Sequence, residues 1–334
     1  MKTFSKEICR FEMNRDHPLW LFILKRLKAG QEVMLLVVTE SAGSSPGRVG
    51  FKLAADKTGA ICGSIGGGIM EVKLVELAVA RLQKGLTSPL VKRQIHRKTA
   101  KAGRSGMICS GEQTVLFFGV KTTDLPPIQR ISSLCRNHKP AVLEITPGQI
   151  QVLMGDQSVA EYSFVRLPDN AFRYSESIGM KYRMHIVGGG HCGLALSKLM
   201  RNLDFYVCLY DDRPGLESFA KNRFAHKKYI VGNYAQLERT LPAGPNEFVA
   251  VMTLGYRSDE TVIRALIHKD FGYFGVLGSK AKMADLLDKL KKDAIPAERL
   301  ERLCTPAGLP INSRTPEEIA VSIAAEIIRV KNAG

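Results

Sequence analysis

The sequence predicts an α/β protein in two parts, and three observations carry that fold class. In the second half, apolar strand-like runs at Met184–Val187, Phe205–Tyr210, Lys228–Val231, Glu247–Met252 and Tyr273–Leu277 alternate with helical patterns. Such alternation predicts a parallel, doubly wound sheet. Two glycine-rich turns, Gly63-Ser64-Ile65-Gly66-Gly67-Gly68 and Gly188-Gly189-Gly190-His191-Cys192-Gly193, each lead from a strand pattern into a helix pattern. Between Asp156 and Arg183 the pattern weakens and the residues become polar. At 334 residues two domains are expected. They are an N-terminal α/β domain over 1–155 and a doubly wound parallel-sheet domain over 183–334, joined by a linker over 156–182.

Taken in order, Asp16 to Ala29 reads as a helix with Leu19, Ile23 and Leu27 on one face and Gly30 as its stop. Glu32–Glu40 reads as a buried strand, Val49–Ala54 as another, Asp56–Gly59 as a turn, and Ala60–Cys62 as a short strand. Beyond the first glycine turn, Val72, Val75, Val79 and Leu82 have helical spacing. Thr114–Val120 is a strand, Pro126–Asn137 a helix, and Ala141–Thr146 with Ile150–Met154 a hairpin. The last helix opens with a capping box, Thr315 with Glu318, and Pro316 in its first position. Its apolar face is Ile319, Ile323, Ile327 and Val330.

The apolar run Leu19–Leu24 is far too short to span a membrane and is followed by Lys25 and Arg26, so neither a membrane span nor a signal peptide is read. Seven scattered cysteines without a CxxC pair argue against disulfides or a zinc ribbon and for a reducing cytoplasm. The net charge of +16 raises nucleic-acid binding. Lys and Arg are spread along the chain, however, and no helix-turn-helix, zinc finger or RNP motif is present, so no nucleic-acid partner is expected. The densest basic stretch, Lys92 to Arg104, reads as a solvated strand and loop or as a docking face for an acidic partner or anionic cofactor.

A glycine turn at a helix start presents backbone N–H groups to an anion. At the first turn the donors are Gly66, Gly67 and Gly68, and the loop Ser44-Ser45-Pro46-Gly47-Arg48 adds two hydroxyls and a guanidinium suited to phosphate. Glu71 reads either as a helix-end charge or as the acceptor for a pterin-type N–H edge. Cys109 lies between Gly106 and Gly111. It reads either as a small buried residue or as a soft thiolate for a metal or for sulfur transfer.

The second turn has the spacing Gly188-x-Gly190-x-x-Gly193, and the next strand ends in Asp211-Asp212, with Asp211 23 positions after Gly188. Strand, glycines, helix and terminal acid together form a dinucleotide fingerprint of the Rossmann type. An acid there faces a 2′-phosphate with like charge, which costs about 4 kcal/mol at about 4 Å and an effective dielectric of about 20. NAD is therefore expected over NADP; FAD and a domain that binds no dinucleotide also stay open. His191 and Cys192 occupy variable positions of the turn, where Cys192 is either merely tolerated or a thiolate favoured by the helix N-terminus. No Tyr-x-x-x-Lys pair stands at a suitable place for hydride transfer.

Together these motifs resemble the xanthine dehydrogenase accessory protein family (the XdhC/CoxI family). The resemblance rests on GSSPGR at 43–48, GSIGGGIME at 63–71, ICSGE at 108–112, VGGGHCG at 187–193 and LYDDRP at 209–214. LGSKAK at 277–282 and the segment from Pro306 to Ile328 extend it over nearly the whole chain. It implies an N-terminal accessory domain and a C-terminal Rossmann-like domain. It also implies a cytoplasmic chaperone, expected as a homodimer, that binds molybdenum cofactor, as molybdopterin or its cytosine dinucleotide form. Such a protein aids sulfuration of the cofactor and its insertion into xanthine dehydrogenase or a related molybdenum hydroxylase. A cysteine desulfurase and the hydroxylase apoenzyme are the implied partners.

Ser44, Ser45, Arg48, Gly66–Gly68, Glu71 and Cys109 are the expected contacts of the cofactor, with Cys109 the candidate for molybdenum or sulfur. Gly188, Gly190, His191, Cys192, Gly193, Asp211 and Asp212 are expected at a nucleotide portion, or at NAD. The chain departs from the family pattern at Ile69, at Cys109-Ser110-Gly111 and in the loop Thr253–Asp259. The rival reading from another class is an NAD-dependent oxidoreductase.

Overall fold

The computed structural model describes residues 16–96, 111–154, 161–169 and 171–333. The chain divides into two units between Gly179 and Met180.

The first unit runs α1 (His17–Lys28), β1 (Val33–Gly43), β2 (Lys52–Asp56), β3 (Ile61–Gly63), α2 (Gly68–Gln83), β4 (Leu90–His96) and β5 (Gly111–Val120). It continues with α3 (Leu125–Arg136), β6 (Ala141–Thr146), β7 (Gln149–Leu153), β8 (Tyr162–Arg166) and β9 (Phe172–Ile178). Five strands form an antiparallel sheet in the order β3-β2-β1-β5-β4. The central strand β1 is apolar at every position from Val33 to Val38 because both faces are covered. Val33, Leu35 and Val37 pack with α1 and α3, while Met34, Leu36 and Val38 pack with α2.

A second antiparallel sheet has the order β7-β6-β9-β8. Its β8 and β9 fall in the stretch expected as a linker. That stretch is polar because β8 is an exposed edge and because one inward position of β9 carries a charge, Glu176, fully buried between the apolar Tyr174 and Ile178. Glu176 Oε2 meets Lys52 Nζ of β2 at 2.9 Å, and the same ammonium lies 2.6 Å from Asp16 Oδ2 before α1. The Tyr174 hydroxyl donates to Glu176 at 2.5 Å. Burial alone lowers the pKa of Lys52, but Asp16 and Glu176 outweigh it and hold the group above the ordinary lysine range.

Along α2 the buried residues are Met70, Leu74, Val75, Ala78 and Leu82. The expected face through Val72 and Val79 is therefore rotated: Val72 is exposed and Val79 half-buried, because the larger Met70 and Leu74 take the core.

The second unit runs β10 (Arg183–Val187), α4 (His191–Asn202), β11 (Tyr206–Asp211), α5 (Glu217–Ala220), β12 (Lys227–Ile230), α6 (Leu237–Thr240) and β13 (Gly244–Val251). It ends with α7 (Tyr256–Leu266), β14 (Phe271–Val276), α8 (Lys280–Lys292), α9 (Ala297–Glu301) and α10 (Pro316–Lys331). The sheet is parallel in the order β12-β11-β10-β13-β14. The order reverses direction between β10 and β13, which makes the ends of these strands the switch point where such sheets bind ligands. One face packs with α4 and α10, the other with α6, α7 and α8. The capping box of α10 is formed: Thr315 Oγ1 accepts the Glu318 amide at 3.2 Å, and Glu318 Oε2 accepts the Thr315 amide at 3.1 Å. Among the described residues no helix is long and apolar enough to cross a membrane.

Candidate functional site

In the first unit, three segments meet at one place. Gly66, at φ +125°, packs against the loop after β1: a methyl there would stand 2.6 Å from the Gly47 nitrogen and 2.8 Å from the Pro46 carbonyl carbon. Gly111, which opens β5, packs against the same loop, 2.5 Å from the Ser45 nitrogen by the same measure. Only glycine permits such backbone approach. Loop 43–48, turn 63–68 and the start of β5 are thereby joined. Buried polar side chains hold the junction: Ser45 Oγ donates to Gln113 Oε1 at 3.0 Å, and Gln113 Nε2 donates to Gln94 Oε1 at 3.1 Å. Ser41 Oγ donates to the Gly47 carbonyl at 2.7 Å.

The turn itself holds an anion from its own chain. Glu71 Oε2 accepts the Ser64 hydroxyl at 2.6 Å and the Ile65 and Gly67 amides at 2.9 Å each. Two of the turn's backbone donors, Gly67 among those expected for a ligand, are thus engaged by Glu71. The helix-end reading of Glu71 holds, since its carboxylate sits in the first turn of α2 and accepts the N-cap amide; its reach to the Ile65 amide and the Ser64 hydroxyl was not foreseen. The remaining exposed groups are the Ser44 hydroxyl, the Arg48 guanidinium and Gly68. Ser45, in contrast, is buried and committed to Gln113. A cavity of about 500 Å³ lies at the outer ends of β1, β4 and β5, lined among others by Glu40, Ser41, Arg93, Glu112, Gln113 and Arg166. Its two arginines each pair with a glutamate, Arg93 with Glu112 at 2.6 Å and Arg166 with Glu40 at 3.1 Å. Cys109 lies outside the described residues.

In the second unit, the glycine turn follows β10. Gly188 has φ +119°, and a side chain there would strike the Met252 carbonyl at the end of β13. Gly193 lies against the Gly188 carbonyl, which seats α4 directly on the turn. At Gly190, the N-cap of α4, an added methyl meets nothing within 4 Å, so this position keeps an open approach. Ser218 and Phe219 of α5 cover Gly189, with Ser218 Oγ donating to its carbonyl at 2.7 Å.

Asp211 is fully buried and heavily engaged. Its Oδ2 accepts the Gly189 amide at 2.6 Å and Arg213 Nη2 at 2.8 Å, while Oδ1 accepts the Arg213 amide at 2.9 Å and Nε at 2.8 Å. Burial pushes this carboxyl up, but the Arg213 and Gly189 bonds outweigh it and hold it below the usual carboxylate range. The like-charge argument against a 2′-phosphate therefore loses force, since Arg213 sits on the carboxylate. Asp212 is exposed and accepts the Tyr234 hydroxyl at 3.2 Å.

His191 is exposed at the start of α4. The reading of Cys192 as an activated thiolate is corrected: burial, reinforced by the nearby Glu317, pushes its thiol up instead. The helix N-terminus favours an anion there, but the half-buried sulfur loses more in hydration. Across the switch point, Asp259 Oδ1 accepts the Thr253 amide at 3.1 Å and hydroxyl at 2.6 Å, and burial raises its pKa.

Arg213, Asp259, Gln113 and Gln94 escaped sequence reasoning as site residues. Only Arg213 left a signal, standing two positions after Asp211 in a strand-terminal Asp-Asp-Arg. Among the described residues no group of three or more His, Cys, Asp or Glu side chains is arranged to hold a metal ion.

Comparison with known proteins bears on both units. The model of the XdhC and CoxI family matches residues 26–93, which include loop 43–48 and turn 63–68. The model of the XdhC Rossmann domain matches residues 184–327. The uncharacterized protein YqeB of Escherichia coli K12 is 24% identical over 299 residues, an alignment covering 88% of this chain and 43% of YqeB. This chain thus spans less than half of that relative. A probable xanthine dehydrogenase component of Bacillus subtilis 168 is 22% identical over 323 residues, covering 91% of this chain and 95% of the relative. Among solved structures, one described as a xanthine dehydrogenase from Bacillus halodurans has a TM-score of 0.70 at 24% identity, covering 93% of this chain and 95% of that one. That likeness shows a shared fold. The two matched domains together take in both glycine turns and more than half of the sequence, and the chain belongs to the XdhC and CoxI family.

Proposed function

We propose that this chain binds molybdenum cofactor and acts as an accessory protein to a molybdenum hydroxylase of the xanthine dehydrogenase type, aiding sulfuration and insertion of the cofactor. The observation that supports this best is the meeting of loop 43–48, turn 63–68 and the start of β5 in a unit whose family model covers the first two. The names carried by the B. subtilis and B. halodurans proteins support xanthine dehydrogenase as the system served.

The residues present fit a phosphate-bearing, hydrogen-bonding ligand. Gly67 leaves open space for close approach, and Arg48 and Ser44 are exposed in the loop that its neighbour Gly66 packs against. An arginine there suits bidentate contact with phosphate. The bound group supplies the molybdenum and sulfur chemistry; the chain's own residues hold and orient it, and no catalytic residue is assigned. Cys109 is proposed as a sulfur or molybdenum contact, and a cysteine desulfurase as the sulfur donor.

The test is to purify the full chain from cells that make molybdenum cofactor and assay the oxidised, fluorescent pterin. Pterin in near-equal amount to protein is expected. No pterin, together with no binding of added cofactor, removes the proposal. A Cys109→Ala variant with full cofactor loading removes the thiol role alone.

The sheet order and the open approach at Gly190 favour a second reading, an NAD-dependent oxidoreductase. Against it stands Asp211, whose oxygens are engaged by Arg213 and Gly189. Thermal shift with NAD and NADP separates the readings, since a tight ligand raises apparent stability by mass action.

A further inference from the structure

We propose that a cavity beside the start of β14 is a binding site for a small organic carboxylate with an apolar body. β14 is an edge strand of the parallel sheet. The chain after α9 pairs with its second half: the Cys304 amide donates to the Phe274 carbonyl at 2.9 Å, and the Cys304 carbonyl accepts the Val276 amide at 3.0 Å. Along its first half the edge borders a cavity of about 290 Å³. The wall of this cavity is apolar, with Ile267, Phe271, Phe274 and Val330. The rings of Phe271 and Phe274 meet edge-on, 5.5 Å apart, which fixes that wall. Ligand pockets begin at about 300 Å³, so the volume suits a small molecule. The glycine turn opens at the other ends of these strands, and this cavity is separate from the site described above.

The mouth of the cavity is cationic. Lys269, Arg299 and Arg302 line it with a single carboxylate, Asp270. Lys269 Nζ donates to the Leu241 carbonyl at 2.6 Å and to the Glu238 carbonyl, partners that carry no net charge. Arg299 Nη1 and Arg302 Nη1 converge on one oxygen of Asp270, Oδ1, at 2.7 and 2.5 Å. Each guanidinium is a planar fork of several N–H donors, and one carboxylate oxygen cannot satisfy two forks. The forks already stabilise an anion there, since Arg299 and then Arg302 hold Asp270 below the usual carboxylate range. The Asp270 side chain is 69% exposed, so its carboxylate stands at the surface and supplies no apolar body to the cavity. A ligand with both parts meets the surplus guanidinium donors with its carboxylate and covers Phe271 and Ile267 with its body, taking apolar surface out of water.

Isothermal titration of the full chain with phenylpropionate at low salt tests this. Millimolar binding is expected, with phenylpropanol and phenylpropylamine at least about tenfold weaker, because neither brings an anion. Arg302→Ala is expected to weaken phenylpropionate about fivefold to tenfold. Asp270→Asn removes the internal competitor and is expected to tighten it at least about threefold. A gain in affinity cannot come from a loss of folding, so this variant reads the site even if Arg302→Ala is damaged. A wild-type chain that does not bind phenylpropionate overturns the proposal, as does an alcohol or amine that binds equally well. An affinity unchanged in Asp270→Asn places the carboxylate elsewhere and also overturns it.

Discussion

Glu71 reaches back four residues and accepts the Gly67 amide at 2.9 Å through the same oxygen that holds Ile65 and Ser64. A side-chain carboxylate thus does in the first turn what a bound phosphate does in other glycine turns. Replacing it with alanine leaves two amides without their acceptor. Glu71→Ala is expected to destabilise the first unit by about 1–3 kcal/mol, and Glu71→Gln, which keeps a carbonyl acceptor, by less. Urea denaturation of the full chain, followed by Trp20 fluorescence, checks the order; equal stability of all three proteins would contradict the latch.

Neighbouring glycines of that turn are expected to differ sharply. At Gly66 a methyl meets backbone of the opposing loop, which cannot yield. At Gly67, with φ +72°, it meets nothing within 4 Å. Gly67→Ala is expected to cost about 1–3 kcal/mol from its backbone alone, because φ +72° with ψ −170° is a region that essentially only glycine adopts. Gly66→Ala is expected to cost at least about 3 kcal/mol, from strain and clash together. Thermal melts of the two variants decide it, and a Gly67 variant as damaged as the Gly66 one refutes the packing argument.

Arg213 and Asp211 make a pH prediction. The Asp211 carboxyl is held below the ordinary carboxylate range in the folded chain. Above that range both folded and unfolded chains carry the charge, and the stabilisation is complete. It is lost as pH falls from about 4 through the lowered folded value. Arg213→Ala is expected to cost about 2 kcal/mol at neutral pH, less than a fully buried pair because Arg213 is about one-third exposed. Asp211→Asn is expected to flatten the acid limb of the stability curve. An unchanged acid limb in Asp211→Asn would falsify the assignment.

Cys192 is expected to alkylate slowly. Its thiol is pushed up by burial and by Glu317, so less thiolate is present at neutral pH than in a free cysteine. Peptide mass mapping after iodoacetamide, with Glu317→Gln for comparison, should show slow labelling that quickens in the variant. Labelling of Cys192 faster than a model thiol counts against this.

Most of the fold was legible because its elements announce themselves locally. Four of the five parallel strands were visible as apolar runs, β12 (Lys-Lys-Tyr-Ile) being exposed at every position, and the α10 cap was visible as Thr315 followed by Glu318. What escaped depended on partners far away in sequence. Glu176 makes β9 look polar until Lys52 and Asp16 are brought to it. The core side of α2 was set by the larger Met70 and Leu74 against β1, which periodicity alone did not distinguish from Val72 and Val79. At the sites, the glycines and acids were recognised, but their tasks were not. Asp211 read as a group awaiting a ligand and Glu71 as either that or a helix-end charge, whereas each closes a hydrogen-bond set within the chain. Spacing reveals that a carboxylate is near a turn; only the folded backbone reveals which lone pairs are already taken.

The Lys52 ammonium links the approach to α1, the five-stranded sheet through β2 and the four-stranded sheet through Glu176 of β9. Opening either sheet alone strands a buried charge, so neither has a cheap partial route to unfolding. The two sheets of the first unit are therefore expected to open as one foldon, with amide protons of β2 and β9 exchanging with a common opening free energy despite the distance between them in sequence.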